Sequence, residues 1–268
     1  MTEWDAGAYR RQSSLQEAMA EDELAHLRLA GDERVLDVGC GDGRISGEIA
    51  DRVPRGAVVG IDPSHHMIDF ARSNVAPRAN LRFEVADVRA LPFRAEFDLV
   101  VSFNALHWVP EQANALRAMR AALRPGGGAW LRFVPASERR SLEDVIEDVR
   151  RSPRWSARFA TFRTPFVHPE AGAYRALAAS CGFDVVREDV RHVAWDFGSR
   201  AGFVAFCRAT FVEWTQHLPD AAWDDFIGDV LDRYAAIAPG DPAADRTFRF
   251  DQLEVHLSAA DAPVGRAG

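Results

Sequence analysis

Three glycines and two carboxylates lie close together in the stretch VLDVGCGDGRISGEIA. Gly39, Gly41 and Gly43 follow an apolar run, with Asp37 before them and Asp42 among them. The G-x-G-x-G spacing differs from the G-x-G-x-x-G of dinucleotide sites, and the Lys-Ser/Thr pair of a P-loop is absent. Because carboxylates repel phosphate groups, the pattern favours a ligand with a cationic amino acid part.

Two further acids follow apolar runs that have the character of strands. Asp62 ends VVGID, and Asp87 ends FEVAD with Val88 directly after it. The carboxyl ends of parallel strands share one edge of the sheet, and an acid after the second strand can accept both ribose hydroxyls of a nucleoside. S-adenosylmethionine has a ribose, a sulfonium and an ammonium but no phosphate, so these residues together predict it as the ligand.

Strands and helices alternate over the first half of the chain, which predicts an α/β fold with a parallel sheet covered on both faces. Ser64 is the expected N-cap of the helix after VVGID. The second half mixes helices with two further strands, DVVREDVRHVAWDF (a strand or bent hairpin) and the terminal RTFRFDQLEVHLS. Its expected helical stretches are 138–164, EAGAYRALAASCGF, 199–217 and 220–238.

No linker interrupts this pattern, so we expect one domain over residues 1–268. Its expected parts are an N-terminal helical segment, a ligand-binding core, a helical cover with sheet elements and a terminal strand, at 1–30, 31–135, 136–245 and 246–258.

The composition favours some classes of protein over others. A net charge of −8 without a basic stripe argues against nucleic acid binding. No apolar run is long enough to span a membrane, and no signal peptide is evident. Three scattered cysteines suit a reducing cytoplasm, and the adjacent His65 and His66 point apart on a helix, so we expect no metal site.

Several stretches resemble the successive motifs of class I S-adenosylmethionine-dependent methyltransferases over about residues 34–134, namely VLDVGCGDG, GIDPSHHMIDFA, FEVADVRALPF, FDLVVSFNALHWV and LRPGG. The resemblance implies a Rossmann-like fold with a mostly parallel seven-stranded sheet. It also implies that Gly39 and Gly41 lie under the methionine part of the cofactor. The backbone of Phe103 and Asn104 would then meet the ammonium.

The same resemblance implies the contacts of the nucleoside. Asp62 would hold the ribose, and Met67 or His66 would flank the adenine. Asp87 would bond the exocyclic amine of the adenine, with the Val88 backbone at the same rim.

The loop SFNALHWVPEQ follows the fourth strand and faces the expected position of the methyl group. With AYRRQSSLQ and the region after residue 152, it resembles juvenile hormone acid O-methyltransferases and, more distantly, trans-aconitate methyltransferases. The resemblance implies methylation of a small carboxylic acid. It also implies that an N-terminal glutamine, Gln16 or alternatively Gln12, and the loop tryptophan Trp108 hold the carboxylate. A carboxylic acid is ionised at neutral pH and needs no base.

The high density of Phe and Trp residues between positions 155 and 226 predicts an apolar acceptor pocket under a helical lid. A terpenoid or fatty acid fits such a pocket better than a tricarboxylate, which needs several arginines. Arg132, Arg158 and Arg163 are the candidate anchors for an anion.

Two alternatives remain at this point. One is C-, N- or O-methylation of another small natural product, a phenol, amine or prenyl compound, with His107 or Glu170 as the base. The other is a binding protein without catalysis, against which the complete set of glycines and strand-end acids argues.

Overall fold

The computed structural model describes residues 14–259. The strands are β1 (Arg34–Val38), β2 (Ala57–Asp62), β3 (Leu81–Val85), β4 (Phe97–Phe103), β5 (Leu123–Phe133), β6 (Phe183–Asp196) and β7 (Thr247–Ala259). The helices are α1 (Ser14–His26), α2 (Arg44–Arg52), α3 (His65–Asn74), α4 (Gln112–Ala122), α5 (Leu142–Arg150), α6 (Ala171–Ser180), α7 (Arg200–Thr210), α8 (Val212–Thr215) and α9 (Trp223–Ala235). Short 3-10 turns lie at Val88–Ala90, Leu106–Trp108, Ser156–Phe159 and Asp220–Ala222.

The seven strands form one sheet in the order β3-β2-β1-β4-β5-β7-β6. Strands β1 to β5 run parallel, and β7 lies antiparallel between β5 and β6. The predicted mostly parallel, seven-stranded sheet is therefore confirmed. The chain changes direction across the sheet between β1 and β4, and ligands of open α/β sheets bind in the crevice at such a point.

Helix α5 is shorter than the helix predicted over 138–164. Ser141 is its N-cap: the Ser141 side chain accepts a hydrogen bond from the Asp144 N–H, and the Asp144 carboxylate accepts one from the Ser141 N–H. This capping box fixes the start of the helix. Pro153 follows shortly after its end and cannot continue a helical hydrogen-bond ladder.

Strand β5 needs comment, and so does the prediction of a strand or bent hairpin over 184–197. Strand β5 already begins at Leu123 and includes the RPGGG run, with a shift of its register against β4. Strand β6 is a single long strand rather than a bent hairpin, because β7 pairs with it along its whole length.

The molecule has separate apolar cores for the sheet and for the cover. One core packs one face of the sheet against α4 and α6, and α1 and α2 contribute to a core on the other face. A third core joins α5, α7, α8 and α9 into the helical cover and contains most of its aromatic side chains. Within residues 14–259, no helix is long and apolar enough to cross a membrane.

Candidate functional site

A cavity of about 580 Å³ opens at the carboxyl ends of the central strands and continues under the helical cover. We call its two parts the sheet end and the cover end. The sheet end is lined by the strand-end residues, among them Gly39, Gly41, Asp62, Met67, Asp87 and Asn104. The cover end is lined among others by His107, Trp108, Glu143, Phe206, Phe211 and Trp214. The volume lies in the range typical of small-molecule sites.

The glycine turn brings its backbone against the cavity. Gly39 has a φ of +74°, and a Cβ atom there would lie 2.2 Å from the Cβ of Ala105. Gly41 has a φ of +53°, and a Cβ atom there would meet nothing within 4 Å. Gly43 does not line the cavity. A Cβ atom there would lie 2.6 Å from the Phe83 ring. The missing side chain of Gly39 therefore leaves room for Ala105, that of Gly41 leaves open space, and that of Gly43 leaves room for the Phe83 ring.

Asp37, one of the predicted cofactor residues, is not part of the cavity lining. It is buried and accepts a hydrogen bond of 2.5 Å from the Ser46 hydroxyl. Burial raises the pKa of Asp37 to about 7. The alternation of side chains along β1 directs this carboxyl to the α2 face of the sheet.

Asp62 and Met67 both line the sheet end of the cavity. The Asp62 carboxylate accepts hydrogen bonds from the N–H groups of Gly41, at 3.2 Å, and Ser64, at 2.9 Å. Ser64 caps α3 as predicted, by accepting a hydrogen bond from the Met67 N–H. Of the two candidates for the adenine wall, Met67 lines the cavity, whereas His66 is exposed and outside the lining.

Asp87 and Val88 lie at the rim of the sheet end. The Asp87 carboxylate forms an ion pair of 2.6 Å with Arg89, which also contacts Glu111 at 2.7 Å. Hydrogen bonding to Arg89 holds the pKa of Asp87 below its usual value. Asp87 is therefore ionised at neutral pH and can accept a hydrogen bond from an exocyclic amine.

Asn104 contacts Glu23, a cavity residue that the sequence did not indicate. Phe103 and Asn104 both line the cavity, and the Asn104 amide donates to Glu23 at 3.3 Å and accepts from Gln252 at 2.7 Å. Glu23 also lines the cavity, and its buried Oε2 has no hydrogen-bond partner among the described residues. Burial raises the pKa of Glu23 to about 8. A cationic ligand group bound here would favour the ionised form of Glu23, because it would supply an opposite charge beside the buried carboxyl.

None of the three predicted arginine anchors lines the cavity. The buried guanidinium of Arg132 contacts Glu254, Asp22 and Glu23, so it serves contacts within the protein. Arg158 and Arg163 are exposed and outside the cavity lining. This corrects the expectation that these residues are available to an anion.

His107 and Trp108 lie at the cover end, as predicted. Burial, together with the nearby His168, lowers the pKa of His107 to about 3, so its ring is neutral. The Nδ1 of His107 is buried without a hydrogen-bond partner among the described residues. The Trp108 ring packs 6.0 Å from Trp214 and 6.3 Å from Phe166, measured between ring centroids, and forms part of an aromatic wall.

The remaining predicted residues are not seen at the cavity. Gln12 lies outside the described residues, and so does the side chain of Gln16, whose backbone belongs to α1. Leu15 and Met19 of the same helix do line the cover end. Glu170 is exposed next to α6 and is not part of the lining. Glu170 is therefore poorly placed to act as a base on a ligand in the cavity.

Two carboxylates at the cover end were missed by the sequence analysis. Glu143 in the first turn of α5 and Glu213 on α8 both line the cavity. Burial raises the pKa of Glu143. The arginines of the lining, Arg44 and Arg89, belong to the glycine-turn and Asp87 region, so the cover end combines apolar walls with acidic groups.

Comparison with known proteins supports this picture. Residues 35–127 match the family model described as a methyltransferase domain. The chain is 32% identical over 198 residues to trans-aconitate 2-methyltransferase from Streptomyces avermitilis; these residues cover 71% of this chain and 73% of that protein. It is 30% identical over 216 residues to trans-aconitate 2-methyltransferase from Variovorax paradoxus, which covers 78% and 80% of the two chains.

Solved structures show the same fold at lower sequence identity. The YcgJ protein from Bacillus subtilis has a TM-score of 0.63 and 16% identity, over 92% of this chain and 100% of that one. Phosphoethanolamine N-methyltransferase 2 from Haemonchus contortus, solved with S-adenosyl-L-methionine, has a TM-score of 0.61 and 15% identity, over 96% and 57% of the two chains. The likeness to juvenile hormone acid methyltransferases stays a prediction. The chain belongs to the class I S-adenosylmethionine-dependent methyltransferases, and S-adenosylmethionine is its cofactor.

Proposed function

We propose that the protein transfers the methyl group to a carboxylate oxygen of a small, largely apolar molecule, such as a terpenoid or fatty acid. The observation that carries this proposal is the continuity of the cavity. One end has the strand-end carboxylates and the open glycine turn, and the other end has aromatic walls without an arginine.

The sheet end offers a place for each part of the cofactor. S-adenosylmethionine would supply a methyl group on a sulfonium. An ionised carboxylate would displace the sulfur in line, so that the O–CH3 bond of the ester forms while the S–CH3 bond breaks and S-adenosylhomocysteine leaves. The Gly39–Gly41 backbone is open to the aminoacyl part, and Asp62 and Asp87 can accept hydrogen bonds from ribose and adenine. Glu23 and the Asn104 backbone border the position left for the ammonium.

The cover end can align a carboxylate without removing a proton. His107 is neutral over the physiological range because burial lowers its pKa to about 3. Its role, with Trp108 and Gln16, is to orient the acceptor and exclude water, which raises the rate by proximity. We infer no general base, since the carboxylate is already ionised.

The curated relatives support a carboxylic acid as the acceptor, because trans-aconitate is one. They do not support the same acid for this chain. A tricarboxylate needs several convergent cations, and the cover end offers Glu143 and Glu213 in their place. The acceptor class carried over is therefore a carboxylic acid with an apolar body.

The alternative of a phenol, amine or prenyl acceptor requires a base. Neither of the bases expected from the sequence suits the geometry, because Glu170 is exposed outside the cavity and His107 is too weak a base at its lowered pKa. Methylation of such an acceptor would require another carboxylate of the cavity to take the proton of the acceptor.

The proposal is tested by a screen with methyl-labelled cofactor against apolar acids, phenols, amines and prenyl diphosphates, with mass spectrometry to locate the methyl group. We expect methyl esters of apolar acids as the fastest products. Methylation confined to phenols, amines or carbon atoms overturns the proposal, and turnover that is lost in His107→Ala and rises with an apparent pKa near 7 overturns the mechanism without a base.

A further inference from the structure

Helix α1 brings an ionisable side chain into the cavity. Leu15, Met19 and Glu23 are spaced four residues apart, so they share one face of the helix, and all three line the cavity. Glu23 is only 1% exposed. A carboxyl group is costly to bury unless hydrogen-bond donors or cations surround it. Its partners within the protein therefore decide whether Glu23 is a structural group or a binding group.

The Glu23 carboxyl lies beside Asn104, which directly follows β4. Its Oε1 atom accepts a hydrogen bond from the Asn104 side-chain amide at 3.3 Å. Asn104 is itself held in place, because its backbone N–H donates to the Arg132 carbonyl at 2.7 Å and its side-chain oxygen accepts from Gln252 at 2.7 Å. Since Asn104 lines the cavity at the carboxyl end of β4, this contact places Glu23 at the sheet end.

The protein provides partners for only one of the two oxygens of this carboxyl. Oε1 also lies 3.4 Å from Nη1 of Arg132, and the same nitrogen donates to Asp22 at 3.1 Å. The other terminal nitrogen of this guanidinium donates to Glu254, and Asp22 has a second ion pair with Arg191. Glu23 has no second ion pair within residues 14–259, and its Oε2 is buried without a hydrogen-bond partner there.

The surrounding charges keep Glu23 neutral when no cation is bound. Burial is the main cause that raises the pKa of Glu23 to about 8, and Asp37 and Asp22 act in the same direction. The charge of Arg132 and the hydrogen bond from Asn104 oppose this rise in pKa without cancelling it. A cation bound beside the carboxyl would favour its ionised form, so the proton would leave.

We propose that Glu23 is the anionic partner of the ammonium group of S-adenosylmethionine, and that it releases a proton to the solvent when the cofactor binds. The other carboxylates of the sheet end already have donors, since Asp62 accepts from backbone N–H groups and Asp87 pairs with Arg89. The proposal rests on the cofactor and does not depend on which acceptor is methylated.

The test compares two ligands that differ only in the ammonium, S-adenosylhomocysteine and its desamino analogue. Calorimetry at about pH 7 measures their binding to the wild-type protein and to Glu23→Gln. We expect the wild-type protein to prefer S-adenosylhomocysteine by at least about thirtyfold, and the substitution to reduce this preference at least about tenfold. The desamino analogue should bind both proteins with affinities within about threefold, which also shows that the variant keeps a folded site.

Proton release is measured in the same titrations, by repeating them in two buffers of different ionisation enthalpy. For each S-adenosylhomocysteine bound, the wild-type protein should release at least about half a proton more than Glu23→Gln. Glu21→Gln is the matched control, because it makes the same substitution on an exposed residue of α1 outside the cavity lining. This control should match the wild-type protein in both ligand preference and proton release.

The proposal is overturned if Glu23→Gln keeps the wild-type preference, whether through unchanged binding or through an equal loss for both ligands. It is also overturned if Glu23→Gln releases as many protons as the wild-type protein. No acceptor is present in these titrations, so their outcome is independent of the acceptor screen.

Discussion

The two ends of the cavity are built in different ways. At the sheet end, backbone turns and carboxylates follow successive parallel strands, so short local motifs determine the geometry. At the cover end, the walls come from α1, α5, α7, α8 and β7, which lie far apart along the chain. The comparison shows why the methyl donor can be read from local sequence, whereas the methyl acceptor depends on how the cover packs.

The largest expected effect is at the glycine turn. Gly39→Ala places a Cβ atom 2.2 Å from the Cβ of Ala105 at a positive φ, so the loop must move. We expect cofactor affinity to fall by more than about a hundredfold and the unfolding free energy to fall by at least about 2 kcal/mol. Calorimetry with S-adenosylmethionine and denaturant titration measure these changes.

Gly172→Ala on α6 is the control for this variant, because a Cβ atom there meets nothing within 4 Å. It should bind the cofactor like the wild-type protein. A Gly39→Ala protein with normal cofactor affinity would show that the turn does not shape the sheet end.

The next effect is at Asp62, which accepts hydrogen bonds from the glycine turn and is proposed to hold the ribose. Asp62→Ala should weaken cofactor binding by about thirtyfold, since hydrogen bonds to a charged group are worth about 2 kcal/mol. The KM of the acceptor at saturating cofactor should stay within about twofold. Asp69→Ala, an exposed acid on α3, is the control; equal losses in both variants would contradict a specific role of Asp62.

Much of the sheet end could be predicted because it follows from local rules. The glycine spacing, the strand-end acids and the Ser64 cap all depend on residues a few positions apart. Asp37 differs from these residues, because its side chain points to the α2 face, where it accepts a hydrogen bond from Ser46. The side-chain alternation along β1 could have indicated this.

The rest could not be predicted because it depends on distant pairs. Arg132 meets Asp22 and Glu254 across long stretches of chain, and this network withdraws it from any ligand. Glu23 and Glu143 have ordinary helical surroundings in the sequence. They differ from other surface acids only once α1 and α5 are placed against the cavity.

A smaller effect is expected for the aromatic wall of the cover end. Trp108→Ala should raise the KM of the acceptor by about tenfold through lost ring contacts, and should leave cofactor affinity within about twofold. Steady-state kinetics and calorimetry separate the two effects. Trp195→Ala, on β6 against the core of the cover but outside the cavity lining, is the control. A loss of cofactor affinity in Trp108→Ala would contradict the separation of the two ends.

The smallest effect on turnover is expected for His107→Asn, because the ring is neutral and takes no proton. At saturating substrates, kcat should fall by about threefold or less, and the shape of its pH profile should match the wild type between about pH 6 and about pH 8. A sigmoid present only in the wild-type profile would assign proton transfer to His107.

The same substitution has an effect on stability that depends on pH. The pKa of His107 is depressed to about 3 in the folded protein and is about 6.5 in the unfolded chain. Between about pH 6.5 and about pH 3, the unfolded chain therefore binds a proton at this residue that the folded protein does not bind. The wild-type protein should therefore lose stability as the pH falls through this range, and His107→Asn should reduce this loss. Denaturant titrations at several pH values measure the slope.

The central claim is that this protein methylates an apolar acid, although its methyl donor site resembles that of its relatives. Competition between two acceptors tests this claim most directly. An apolar fatty acid and trans-aconitate are offered together with labelled S-adenosylmethionine, and the two methyl esters are quantified. We expect the apolar ester to dominate by at least about a hundredfold in kcat/KM, which corresponds to about 2.7 kcal/mol. An equal or greater yield of methylated trans-aconitate would contradict this account of the cover end.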